Sequence, residues 1–170
     1  MQTTPLLGLP YPQDTDTADI GYWLQQLALS TEADIYNTAW NTYTPTVTGT
    51  TAPTVVGRYC QARGIIAWSV DITLTAAVTG GITVTLPVSA RAIPNGVART
   101  LGVAEARNVG AGQYMQGVAH TLGTGAAVTT ATVMLPASSA SSLLAGTAAA
   151  VPWTWASGHT ISISGTYEMA

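Results

Sequence analysis

Thr160-Ile161-Ser162-Ile163-Ser164-Gly165-Thr166-Tyr167-Glu168-Met169 decides the fold. Every second residue, Ile161, Ile163, Gly165, Tyr167 and Met169, is apolar or small. The residues between them are polar. A period of two sends the first set to one side of an extended chain and the second set to the other. One apolar face and one polar face describe a half-buried strand of an antiparallel sheet.

The same alternation recurs upstream. Residues 55–61 lead through Arg63-Gly64 into residues 65–75, which predicts a hairpin. Thr79-Gly80-Gly81 predicts a turn into residues 82–86, stopped at Pro87, and Pro94-Asn95-Gly96 predicts another turn. Residues 99–107, 113–122 and 127–135 follow, separated by Gly110 and Gly112 and by Gly123 and Gly125. Residues 41–54, rich in Thr with Pro45 and Pro53, read as a linker or edge strand. Residues 136–150, rich in Ala and Ser, read as a loop or short helical turn. About eight short strands punctuated by Gly and Pro predict a mainly β chain, an antiparallel, jelly-roll-like β-sandwich over residues 41–170. No repeat of solenoid period is present.

Residues 1–40 differ in kind. Pro5, Pro10 and Pro12 remove backbone donors and disfavour helix before them, so residues 1–15 read as an extended arm. Leu6, Leu7, Leu9 and Tyr11 make that arm too apolar for a solvated tail and suit a groove on a partner. Residues 17–36 read as one short amphipathic helix, with Asp16 or Thr17 as cap and Asp19 in the first turn. Ile20, Trp23, Leu24, Leu27, Thr31 and Ile35 recur at helical spacing, and the apolar ones form its packing face. Such a helix is marginal alone in water and has to pack on the sandwich, on its copies or on another protein.

Charge narrows the function. The 170 residues carry only 8% charged side chains and no Lys. So little charge points to surface buried in an assembly. Residues 1–39 hold Asp14, Asp16, Asp19, Glu32 and Asp34 and no base, a local charge of −5; residues 40–170 hold five Arg against Asp71, Glu105 and Glu168, or +2. Scattered Arg make no basic stripe, so nucleic acid is not an expected partner. No apolar run is long enough for a membrane-spanning helix, and no basic segment leads into an apolar one at the N-terminus, so neither membrane nor secretory signal is expected.

Catalytic signals are sparse. Cys60 is the single cysteine and reads as a buried, inert thiol, so neither a disulfide nor a thiolate zinc cage is expected. His120 and His159 lack ligand-spaced neighbours and read as structural. Nucleophile-elbow and phosphate-loop patterns are absent. Asp71, Glu105 and Glu168 are too few to supply a catalytic pair and its supporting groups, although a pair formed in space stays open. The expectation is no enzyme, no metal and no cofactor. Trp68, Trp153, Trp155 and Tyr167 read as core or subunit-interface aromatics. Trp153 and Trp155 alternate, which would place both on one side of a strand.

Pro152-Trp153-Thr154-Trp155-Ala156-Ser157-Gly158-His159, running into the alternating strand, resembles the closing segment of C-terminal domains in siphophage minor tail and tail-fibre proteins. His159 stands where that pattern usually carries Asp, so a turn hydrogen bond supplied there by Asp must come from His159. Gly57-Arg58-Tyr59-Cys60-Gln61-Ala62-Arg63-Gly64-Ile65-Ile66-Ala67-Trp68 is similar to the hairpin that opens those domains. Leu7-Gly8-Leu9-Pro10-Tyr11-Pro12, followed by acidic residues and a helix, resembles the N-terminal end of actinobacteriophage virion proteins. The resemblance implies a structural virion protein, homotrimeric, with its N-terminus toward the particle. A minor tail or fibre protein touching a host surface glycan is the expected form. A capsid decoration or head-fibre protein is the alternative, and a carbohydrate-binding adhesin module a second one.

Overall fold

A computed structural model describes residues 2–3, 10–11, 20–36, 39–138 and 141–170. The chain divides into two compact units, Met1–Ala39 and Trp40–Ala170.

In the first unit, β1 (Gln2–Thr3) pairs antiparallel with β2 (Pro10–Tyr11), Gln2 opposite Tyr11. The arm is therefore a short ladder at these positions rather than coil throughout. Leu6, Leu7 and Leu9 lie outside the described residues, as do the expected caps Asp16 and Thr17. Helix α1 spans Ile20–Tyr36. Ser30 and Thr31 turn their hydroxyls back to the carbonyls of Gln26 (2.9 Å) and Leu27 (2.8 Å), which lets both residues sit inside a helix.

The second unit is a mainly β, antiparallel sandwich made from one curled sheet. Its strands are β3 (Asn41–Tyr43), β4 (Val47–Thr50), β5 (Thr54–Ala62), β6 (Ile65–Thr73), β7 (Val78–Ala90), β8 (Ala98–Asn108), β9 (Gln113–Leu122), β10 (Val128–Pro136), β11 (Leu144–Gly146) and β12 (Thr160–Glu168). The order across the sheet is β3-β5-β6-β12-β8-β9-β10-β7-β4, with β11 on β10. Strand β12 lies in the middle, paired along its whole length with β6 and over Thr160–Ser164 with β8.

The two sheet edges, β3 and β4, are consecutive in sequence and separated only by Thr44-Pro45-Thr46. Such a short connection reaches about 14 Å at most, so the sheet must roll until its edges nearly meet. Hydrogen bonds tie this connection to β7, the strand beside β4. Thr46 N–H donates to Thr85 Oγ1 (2.8 Å), and Thr85 N–H donates to the Thr46 carbonyl (3.0 Å). The Tyr43 ring packs edge-on against Tyr59, 5.8 Å between centroids.

The inner face follows the period of two. Ile66, Trp68, Val70 and Ile72 of β6, Ile161, Ile163 and Tyr167 of β12, and Ala131, Val133 and Leu135 of β10 are all buried in one core. Within that core the Trp68 ring meets Tyr167 edge-on, 6.2 Å between centroids. The Arg63-Gly64 hairpin is a two-residue turn with φ of 47° and 85°. Two left-handed residues match the twist of the flanking strands, and Gly64 takes that conformation without a side-chain clash.

Two breaker signals did not break. Strand β7 runs from Val78 to Ala90, through Gly80-Gly81 and through Pro87. At Gly80-Gly81 the partner strand β4 shifts register around Gly49, whose φ is +84°. A Cβ on Gly49 would stand 2.4 Å from the Gly81 carbonyl oxygen, so the glycines allow two backbones to pass closely. Between Thr85 and Ala90 the register against β10 jumps, and Pro87 falls in that irregular stretch, where no ladder donor is required. The expected loop over residues 136–150 also contains β11, and residues 41–54 supply both edge strands.

Candidate functional site

The outer, polar face of β5, β6, β12, β8 and β9 carries the candidate site. Strand register places Asp71, Ser162, Glu105 and Gln116 opposite one another in a single row across β6, β12, β8 and β9. The neighbouring row brings Arg58, Ser69, Ser164 and Val103 together. The serines on β6 and β12 are short, whereas Arg58, Glu105 and Gln116 stand tall on either side. The result is a groove of about 460 Å³. Asp71 and Glu105 sit two strands apart, about 10 Å between backbones. Both are exposed, and neither makes a hydrogen bond or ion pair with a described residue.

Aromatic rings flank this groove. At one side Arg58 lies over the Trp40 ring, 5.9 Å from its centroid. At the other, Arg107 lies over Tyr114 at 5.4 Å. Tyr114 is two residues from Gln116 on β9, and Arg107 two residues from Glu105 on β8, so both share the groove's face. Trp40 is 57% and Tyr114 58% exposed, against 1% for Trp68 in the core.

A second groove of about 320 Å³ lies where the end of β7 meets β12, lined by Arg91, Arg99, Thr100, Thr166 and Glu168 above Leu101 and Tyr167. Here Arg91 is already paired with Glu168 at 2.9 Å. Of the eight charged side chains in residues 40–170, three line the first groove and three the second, so charge is gathered rather than spread. The first groove is the one whose carboxylates are left to meet a ligand.

The aromatics read as core or interface separate into two groups. Trp68, Trp155 and Tyr167 are buried, and Trp153 is half-buried against them. Trp153 and Trp155 do not alternate along a strand: residues 152–159 form turns and irregular chain. They pack together instead, 5.5 Å between centroids, with His159 against both rings at 6.5 and 6.1 Å. They form no exposed platform. Trp155 Nε1–H donates to the Val151 carbonyl at 2.8 Å.

His159 is 6% exposed, and its Nδ1 accepts the Ala156 N–H at 3.3 Å. It thus supplies a side-chain hydrogen bond to the backbone of the turn that precedes β12. Replacing His159 by Ala should lower stability by about 1–2 kcal/mol, through lost ring contacts and an unpaired N–H. His159→Asn, which keeps an acceptor, should recover part of that in thermal melts. Equal losses in both variants would show that the bond contributes nothing.

In the N-terminal unit, Leu24 is 61% and Leu27 39% exposed. Ile20, Trp23 and Ile35 belong to α1 and Tyr11 to β2, but their side chains lie outside the described residues. Cys60, read as buried, is half-buried. Among the described residues no three His, Cys, Asp or Glu cluster for a metal, and no helix is long and apolar enough to cross a membrane.

Comparison of the chain with protein-family models, curated proteins and solved structures found no match. Function therefore has to be read from the site and the surface. The sequence reading named Asp71, Glu105 and Glu168 only as sparse carboxylates and left a pair in space open; the fold brings Asp71 and Glu105 to one row. That reading missed Trp40 and Tyr114, for which the available signal was an aromatic on the polar parity of a strand or beside its start.

Proposed function

We propose that the chain is a non-enzymatic structural protein of a tailed-phage particle, homotrimeric, held on the particle by its N-terminal unit and placed as a minor tail or fibre component. The observation that carries this reading is the exposed leucine stripe of α1, in a unit separate from the β domain. A helix of 17 residues is marginal alone. Burying each leucine fully is worth about 1.5–3 kcal/mol, which favours covering the stripe with copies of the same helix. Leu6, Leu7, Leu9 and Tyr11 then remain for a groove on a neighbouring virion protein, and the −5 charge of residues 1–39 steers that segment toward a basic surface. The resemblance of residues 152–168 and 57–68 to siphophage tail domains supplies the particle. Exposure of both groove carboxylates supports a non-catalytic role, because a general acid is normally held in a desolvated pocket.

Light scattering on the full chain should give about three times its 17.4 kDa. Deleting residues 1–36 should leave a cooperative melt near that of the full chain but abolish incorporation into particles. A clean monomer of the full chain at micromolar concentration would defeat the trimer. Aggregation of the truncated chain would make the N-terminal unit part of the core and remove support for attachment.

A further inference from the structure

We infer that the outer-face groove over β5, β6, β12, β8 and β9 is a binding site for a neutral oligosaccharide chain. Four features combine. The floor carries Asp71, Glu105, Gln116 and Ser162 in one row, a set of acceptors and donors suited to hydroxyl groups. Asp71 and Glu105 have their acceptor capacity unspent on described residues. Val103, 63% exposed in the same groove, offers an apolar patch for the C–H face of a sugar ring. Trp40 and Tyr114 stand at opposite sides, each ring overlain by an arginine.

Those two rings are the largest exposed aromatics in the described β domain. An exposed ring stacked under a cation is oriented before a ligand arrives, so less freedom is lost on binding. From β5 to β9 the face spans four strand spacings, about 19 Å. That is a length for several linked rings rather than a single sugar. Charge narrows the class: Arg58 and Arg107, stacked on their rings, offset Asp71 and Glu105 to neutrality, so a phosphorylated or carboxylated chain gains no net attraction and meets two carboxylates on the floor. Wide exposure of the carboxylates makes this a holding surface, not a hydrolytic one. The site is independent of the virion reading, since it needs only the β domain.

The test uses the full chain and a panel of neutral hexasaccharides built from glucose, xylose, mannose, galactose and N-acetylglucosamine, with polygalacturonate as the anionic comparison. Binding is followed by tryptophan fluorescence and titration calorimetry. At least one neutral chain should bind, and polygalacturonate should bind more weakly. Trp40→Ala and Tyr114→Ala should each weaken binding about tenfold. Asp71→Asn with Glu105→Gln should weaken it further, with melting temperatures unchanged, because all four side chains are exposed. No binding across the panel to millimolar concentration overturns the inference. So does binding insensitive to these substitutions, tighter binding of polygalacturonate, or release of reducing ends, which would make the groove catalytic. None of these outcomes touches the N-terminal attachment, which is read from particle incorporation.

Discussion

Replacing Trp68 by Ala should destabilise the β domain by about 4 kcal/mol, a large share of the roughly 5–15 kcal/mol a whole domain is usually worth. Trp68 is 1% exposed on β6 and meets Tyr167 edge-on across the ladder to β12. Its Nε1–H donates to the Leu101 carbonyl at 3.1 Å, at the point where β8 shifts register against β9. The substitution therefore opens a cavity between two strands and strips a carbonyl of its donor. Trp68→Phe keeps most of the volume and loses the hydrogen bond, so its cost should be smaller, about 1–2 kcal/mol. Urea unfolding of the three proteins checks this. A loss below about 1 kcal/mol for Trp68→Ala would mean that the core closes without it.

A second large effect is expected at alkaline pH. Burial pushes Tyr167 up to about 12, with the Val88 N–H that donates to its oxygen opposing and Tyr59 adding to the rise. Burial, followed by repulsion from Tyr167, pushes Tyr43 above its ordinary value near 10 as well. Below pH 10 both rings are neutral in folded and unfolded chains, and stability is unaffected. Above pH 10 the unfolded chain releases protons that the folded chain keeps. Stability then falls by up to about 1.4 kcal/mol per pH unit for each tyrosine, until the folded groups ionise too. For Tyr167 that window closes near pH 12. Urea midpoints should be flat below pH 10 and fall steeply from pH 10 to 11.5. Tyr43→Phe or Tyr167→Phe should each flatten the slope. An unchanged slope in both variants would place the alkaline transition elsewhere.

What could be read in advance was local. The Arg63-Gly64 hairpin was legible because a two-residue turn needs left-handed backbone and glycine supplies it cheaply. The buried parity of residues 160–168 was legible because alternation survives without knowledge of neighbours. Strand β7 was not, because Gly80, Gly81 and Pro87 are breakers only until a partner's bulge accommodates them. The Trp153–Trp155 pair was misplaced because alternation over a few residues does not make a strand when Pro152 and Gly158 bend the chain. The groove was not legible: Asp71 and Glu105 stood out only as two of three sparse carboxylates, and only the β6–β12–β8 register makes them neighbours. Trp40, just before β3, and Tyr114 of β9 are 74 positions apart in sequence and become the two sides of one face only through the five ladders from β3 to β9.

The central place of β12 also sets an order in time. While the chain is being synthesised, the β5–β6 hairpin and the β8–β9–β10 run can each form soon after leaving the ribosome, since their partners are close in sequence. Each of these half-sheets then shows one bare edge, on β6 and on β8, and neither edge has its native partner until residues 160–168 emerge. A nascent or truncated chain stopped before Thr160 carries two open edges that pair readily with other chains. The strand that completes the sheet therefore acts as a checkpoint on synthesis: only chains translated through it can bury Trp68 and leave the ribosome without adhesive edges.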